Sequence, residues 1–134
     1  MTGGEPEPGL RYRIGFACEE NLLRAHVTGT NDSVETTLAY WLDIAREVRR
    51  VSPATLLVVD EMDGPTPPPE ELLQFVQALR GQGFEGVRVA FVEANLARIP
   101  GVEHAEIFAR ELGFDAHVFA NETVARIWLR HGEA

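Results

Sequence analysis

The sequence predicts an α/β fold in which a single-layer, mixed five-stranded sheet is packed against helices. Short apolar runs rich in β-branched residues alternate along the chain with segments whose apolar residues recur every three or four positions. Such alternation is typical of parallel strands joined by helices. Two alternating runs near the start, separated by a short acidic turn, also predict a hairpin with one antiparallel strand. The expected order is β-β-α-β-α-β-α-β-α.

The first part of the chain is expected to hold the hairpin and a long helix. Apolar residues alternate with polar or small ones over residues 12–16, and a second strand follows over Leu22–Thr28. Asp32 or Ser33 can cap the next helix, and Pro53 ends it. The continuous apolar face of this helix consists of Val34, Leu38, Trp41, Ala45 and Val48.

The middle of the chain predicts the two central strands of the sheet. Thr55–Val59 is free of charge, and Val87–Val92 carries a single Arg, so both runs suit strands that are buried on both faces. Asp60–Pro69 reads as a loop, with acidic residues first and prolines last. The following helix is expected to end at Gly81 or Gly83. Its inner face would be formed by Leu72, Phe75, Val76 and Leu79.

The last part predicts a helix, a short strand and a closing helix. Glu93–Val102 is expected to be a connector, followed by a helix over His104–Leu112 and a strand over Ala116–Phe119. Asn121 can cap the final helix. The residues expected to face inward from it are Val124, Ala125, Trp128 and Leu129.

Length and composition fit one globular domain and exclude several classes of function. The chain has 134 residues, of which 45% are hydrophobic and 25% charged, enough for one core without metal or disulfides. All twelve basic residues are Arg, so Schiff-base chemistry and a phosphate-binding P-loop, which need Lys, are excluded. The net charge of -9 argues against nucleic acid and anionic membranes as partners. No cofactor is expected.

The compartment and domain bounds follow from simple features of the sequence. A single cysteine, Cys18, cannot support a disulfide framework, and no run approaches the ~20 apolar residues of a membrane span. The N-terminus lacks the basic start and apolar segment of a signal peptide. We therefore expect a cytoplasmic protein with a disordered tail over residues 1–10 and one domain over residues 11–134.

Four strings, in this order and spacing, carry a resemblance to a known family. They are LRAHVTGT at residues 23–30, TLLVVD at 55–60, VRVAFV at 87–92 and AHVFANETVARIWL at 116–129. The sequence resembles the STAS fold of anti-sigma-factor antagonists, and most of all its SpoIIAA-like branch, which is grouped with Sec14-like domains. The resemblance covers residues 11–131. It implies a non-catalytic, regulatory domain that binds a protein partner.

The sequence departs from that family where the phosphorylated residue belongs. STAS antagonists carry a Ser or Thr after the central strand, whereas here Thr66 is the sole hydroxyl of an acidic, proline-rich segment. We therefore expect no phosphorylation switch. The residues expected to form a charged partner-binding loop are Asp60, Glu61, Asp63 and Thr66. Whether the three acids also hold a divalent cation stays open, because acidic residues on one loop are more often simply solvated.

A second function fits the apolar residues: a small carrier or sensor that holds an apolar, lipid-like ligand between helices and sheet. Its pocket would be lined by Trp41, Phe75 and Trp128, although core packing is the commoner role of such rings. Tyr40, Leu42 and Ile44 widen the first helix's apolar face. An exposed patch there would mark a partner surface or a homodimer interface.

Catalysis is the third reading, and no residue is assigned to it. The four histidines fall on separate elements without a zinc-binding spacing, and Cys18 precedes two glutamates that would raise the pKa of its thiol. Residues 81–86 match G-x-G-x-x-G, but they follow a helix and precede a strand, the reverse of a dinucleotide site. We read them as a turn, and no metal site is assigned.

Overall fold

A computed structural model describes residues 12–131, and the expected tail over residues 1–10 lies outside this range. The described part of the chain has five strands and four α-helices, and the α/β fold class is confirmed. The elements are β1 (Tyr12–Glu19), β2 (Leu22–Thr30), α1 (Val34–Val51), β3 (Thr55–Asp63), α2 (Pro69–Ala78), β4 (Arg88–Glu93), α3 (Ile99–Glu111), β5 (Asp115–Phe119) and α4 (Glu122–His131). A 3₁₀ turn over Leu96–Arg98 leads into α3.

The five strands form one mixed sheet in the order β1-β2-β3-β4-β5. β1 pairs with β2 antiparallel, and all other neighbours are parallel, so the hairpin supplies the antiparallel member as predicted. β3 and β4 are interior strands. This confirms the prediction made from the uncharged run Thr55–Val59 and the run Val87–Val92 with its single Arg. Leu23, Leu56 and Val89 lie side by side in the register and are buried on one face.

The helices cover the two faces of the sheet unequally. Because the parallel strands follow one another in spatial order, their right-handed crossovers place α1, α2 and α3 on the same face, over the larger apolar core. α4 follows the last strand and packs on the opposite face, against β3, β4 and β5. Within residues 12–131, none of the helices combines the length and apolar character that crossing a bilayer requires.

Ion pairs fix α4 on its side of the sheet. Arg24 on β2 donates two hydrogen bonds of 2.9 Å to the carboxylate of Glu122, the first residue of α4. Arg126 bridges the same carboxylate to Glu19 at the end of β1. These hydrogen bonds, that from Arg24 above all, lower the pKa of Glu122 to about 2. These ion pairs therefore help to hold α4 on this face of the sheet, in addition to the packing of its apolar residues.

Helix α1 buries a wider surface than its main apolar stripe predicts. Ser33 caps α1, because its Oγ accepts a hydrogen bond of 3.2 Å from the Thr36 amide. Tyr40 and Ile44, which widen the apolar face, are buried, and Leu42 is half-buried. The widened face is therefore used for packing on both the sheet and α2, and these three residues form no exposed patch.

Three boundaries or faces differ from the sequence prediction. β3 runs on to Asp63, because its acidic end pairs with β2, so the loop spans only residues 64–68. α3 begins at Ile99 rather than His104, with a proline in its first turn, where the missing N–H costs nothing. Val124 on α4, expected to face inward, is 48% exposed.

Candidate functional site

An apolar cavity of about 110 Å³ lies between the sheet and helices α1, α2 and α3. It is partly open to the surface, and Asp60, Thr66 and Arg98 in its lining lie at the carboxyl end of the parallel strands, where function collects in open α/β sheets. Its aromatic lining consists of Tyr40, Trp41, Phe75, Phe84, Phe91 and Phe114. The remaining lining is largely aliphatic, so the site suits an apolar molecule better than a charged one.

Trp41 stands at the centre of the aromatic lining. Its ring is stacked on Phe91 at a centroid distance of 5.9 Å and meets Phe84 edge-on at 5.6 Å. Phe75 on α2 lies 6.2 Å from the same ring. These offset and edge-to-face geometries are those that aromatic pairs favour. They fix the rings on the α1 and α2 side of the cavity.

The α3 side of the cavity is built from smaller residues. Ala105 and Ala109 on α3, with Ala116 on β5, face the cavity. No residue of α3 is fully buried, whereas α1 and α2 each bury several apolar side chains. The cavity therefore exists because large rings on one side meet small residues on the other.

The loop over residues 64–68 closes one edge of the cavity and is held at both ends. Gly64 has a φ of +114°, and a Cβ there would overlap the carbonyl oxygen of Asn31. Thr66, which lines the cavity, packs against Gly101 in the first turn of α3. Both glycines are thus required by close approach, and the loop is fixed between β2's end and α3.

A buried cluster of charges lies at the polar end of the cavity. Asp60 ends the buried part of β3, Glu93 ends β4, and Arg98 precedes α3; each is less than a tenth exposed. Arg98 Nη1 lies 3.9 Å from Asp60 Oδ1 and 3.7 Å from Glu93 Oε1. The same nitrogen donates a hydrogen bond of 3.0 Å to the carbonyl of Met62. One guanidinium therefore serves two buried carboxyl groups.

Burial, more than any neighbour, sets the protonation of the two acids. It raises the pKa of Asp60, although a hydrogen bond of 2.8 Å from the Met62 amide and the charge of Arg98 act the other way. Burial and then the charge of Asp60 raise the pKa of Glu93 to about 7, against the opposing effect of Arg98. Glu93 is thus the group of this cluster that titrates near neutral pH.

The hydrogen bonds of the cluster are incomplete. Asp60 accepts from the Tyr40 hydroxyl at 3.2 Å, and Glu93 Oε2 accepts from the Asn95 amide at 3.2 Å. Within residues 12–131, Glu93 Oε1 and Arg98 Nε have no hydrogen-bond partner. Buried polar atoms of this kind are costly.

The four residues predicted to form a partner-binding loop do not share one surface. Asp60 and Glu61 are consecutive in β3 and so face opposite sides of the sheet. Asp60 is buried against α1, whereas Glu61 is exposed and lies 2.8 Å from His26 Nε2. Asp63 is exposed, and Thr66 is half-buried beside the cavity.

The alternation of side chains along β3 also bears on whether the acidic residues of this segment can bind a divalent cation together. Asp60 and Glu61 cannot converge on one ion from opposite faces of the sheet. Within residues 12–131, no group of three or more His, Cys, Asp or Glu side chains is arranged to hold a metal ion.

The predicted apolar pocket is reproduced for two of its three residues. Trp41 and Phe75 line the cavity. Trp128 lies on the other face of the sheet, where its ring is 4.5 Å from His117, 5.6 Å from Phe119 and 5.3 Å from the guanidinium carbon of Arg88. Its assignment to the pocket is therefore wrong, because α4 packs opposite the crossover helices.

Sequence reasoning placed Glu93 and Arg98 in a connector and missed them as site residues. A usable signal was present: the register pairs Asp60 with Glu93, so two acids end adjacent parallel strands on the same face. An Arg five residues beyond Glu93 is the only nearby cation on that segment.

Comparison with protein-family models finds no match, and comparison with curated proteins also finds none.

Proposed function

We propose that this chain is a non-catalytic domain of the STAS/SpoIIAA-like type that binds a small apolar molecule in the cavity, and so acts as a carrier or sensor. The observation that carries the proposal is the apolar cavity of about 110 Å³ between helices and sheet. Protein interiors are close-packed, with few voids larger than a water molecule. An apolar void of about 110 Å³ approaches the size of an engineered cavity of about 150 Å³ that binds benzene, which supports the proposal.

The charges around the cavity support binding over chemistry. Asp60 and Arg98 border the cavity, and each already contacts the other. The nearby Asn31 and Thr37 also satisfy one another through hydrogen bonds of 2.9 and 3.1 Å. These polar groups hold the fold at the carboxyl end of the strands, and the free surface left to a ligand is apolar.

Filling the cavity tests the proposal. Ala109→Leu places a larger side chain in the cavity, whereas His104→Leu adds the same side chain at an exposed position of the same helix. We expect a panel of small apolar compounds to include at least one that raises the melting temperature of the wild type by about 5–10 °C near saturation. The shift should survive in His104→Leu and vanish in Ala109→Leu. A panel without any shift in the wild type would contradict the proposal.

Binding of a protein partner, or of a second copy as a homodimer, is the alternative that the family resemblance implies. The carboxylates of Glu61, which contacts His26, and of Asp63 favour it, because both are exposed at the end of β3. Its test changes these two residues to Gln and Asn and leaves the buried Asp60 intact. Loss of partner capture in cytoplasmic extracts, with an unchanged melting curve, would support it, and indifference to the double change would not.

A further inference from the structure

We infer that the cavity selects a neutral molecule built on a single aromatic ring. The inference rests on the proposed function and names its ligand class. It depends on the size of the cavity, on the chemistry of its walls and on the balance of charge at its polar end.

The size of the cavity limits the ligand to about one ring. An engineered apolar cavity of about 150 Å³ in another protein stays dry and binds benzene. The cavity here, at about 110 Å³, is somewhat smaller and holds at most about one ring. A long acyl chain would not fit inside it, so the lipid-like ligand expected from the sequence is replaced by a much smaller one.

The aromatic walls favour a ring over a saturated molecule of the same shape. Trp41, Phe84 and Phe91 form one contiguous aromatic surface on which a further ring can pack edge-on or offset. Such contacts add about 0.5–1.5 kcal/mol beyond the burial of area, which corresponds to roughly 2- to 10-fold in affinity. A saturated ring gains the burial but not this addition.

The charge balance at the polar end excludes ionised ligands. Asp60 lies 3.9 Å from Arg98. Glu106, the other acid of the lining, accepts a hydrogen bond of 3.2 Å from the Val118 amide and lies 3.4 Å from His117 Nδ1. Glu93 lies beside the lining, and burial raises its pKa to about 7. A ligand carboxylate or ammonium would therefore meet no uncompensated opposite charge and would lose its hydration on entry. A neutral ring carries no such cost.

Four probes of matched shape test the inference on the wild-type protein at pH 6.5: toluene, methylcyclohexane, benzoate and benzylammonium. Affinity is measured by calorimetric titration, and the site is identified by shifts of the methyl NMR signals of Val89 and Val102, which line the cavity. After each affinity is corrected for the probe's transfer from water to a saturated hydrocarbon, we expect toluene to bind about 3- to 10-fold more tightly than methylcyclohexane. The two ions should bind at least 100-fold more weakly than toluene.

One substitution separates the aromatic contribution from general packing. Phe91→Leu removes the ring stacked on Trp41 and should lower the affinity ratio of toluene to methylcyclohexane towards one. A variant that merely loosened the fold would weaken both probes alike and leave the ratio unchanged. Ala105→Leu should abolish binding of both neutral probes, and His104→Leu should leave both intact.

The outcomes distinguish this inference from the proposed function. If methylcyclohexane binds as tightly as toluene, or if either ion does, the aromatic selectivity is overturned while the cavity remains a binding site. If the cavity methyls respond to neither neutral probe, the aromatic inference falls. The proposed function falls with it only if the wider apolar panel also fails.

Discussion

Replacing the buried carboxyl group of Glu93 by an amide should make the protein more stable at alkaline pH. Glu93 is 1% exposed and keeps one oxygen, Oε1, without a hydrogen-bond partner within residues 12–131. Glu93→Gln retains an acceptor for the Asn95 amide and removes the ionisable group. The neutral side chain then suits the site at every pH, because Asp60 already supplies a charge for Arg98.

The size of the effect follows from the pKa of Glu93, which rises from 4.5 to about 7 on folding. Between these values the folded state binds more protons than the unfolded state, so the free energy of unfolding falls as the pH rises through this window. A shift of this size corresponds to about 3 kcal/mol, present below pH 4.5 and lost above pH 7. The figure already includes the opposing charges of Asp60 and Arg98.

Urea unfolding at pH 5, 6, 7 and 8 measures the prediction. The free energy of unfolding of Glu93→Gln minus that of the wild type should be about 1 kcal/mol at pH 5 and rise to about 3 kcal/mol at pH 8. Glu103→Gln is the matched control, because Glu103 is an exposed glutamate on α3. A difference that does not change with pH, or a variant less stable than the wild type at pH 8, would refute the argument.

Three further substitutions, the first with a matched control, test contacts that hold the fold. Gly64→Ala should cost about 3 kcal/mol by urea unfolding, because its Cβ would overlap the Asn31 carbonyl, whereas Gly81→Ala, with open space around it, should cost about 1 kcal/mol. Ser33→Ala should lose about 1 kcal/mol with the cap of α1, and an unchanged transition would show that the cap is dispensable. Trp128→Ala should lose about 2–3 kcal/mol, less than a fully buried ring, since it is half-buried; a loss below about 1 kcal/mol would contradict its packing on β5.

The sheet could be predicted from the sequence because its signals are local. The uncharged run Thr55–Val59 and the run Val87–Val92 have strand composition, and the helical stripes between them require crossovers of one hand. The end of β3 could not be predicted in the same way. Glu61 and Asp63 have loop composition, but backbone pairing with Thr28 and Thr30 continues the strand past them. Tertiary pairing thus overrides local propensity at this boundary.

The candidate site depends on relations that no local pattern contains. The apolar stripe of α4 is equally consistent with either face of the sheet, because no strand follows it to fix the side by a crossover. The sequence therefore predicts the wrong face of the sheet for Trp128. The pairing of Asp60 with Glu93 required the register, and the reach of Arg98 required the path of the chain into α3. The cavity itself exists where side chains do not fill the space between the helices and the sheet, and this depends on the packing of several elements at once.

The way in which α3 is attached explains why the cavity stays open. Apolar burial alone would draw this helix onto the sheet until the void closed, because each lost contact costs dispersion energy. Hydrogen bonds and one close steric contact instead hold α3 away from the sheet. Arg98 is bonded to the backbone of β3, Glu106 accepts a hydrogen bond of 3.2 Å from the backbone of β5, and Gly101 abuts Thr66. The void is therefore maintained by polar and steric contacts at the helix's start and middle.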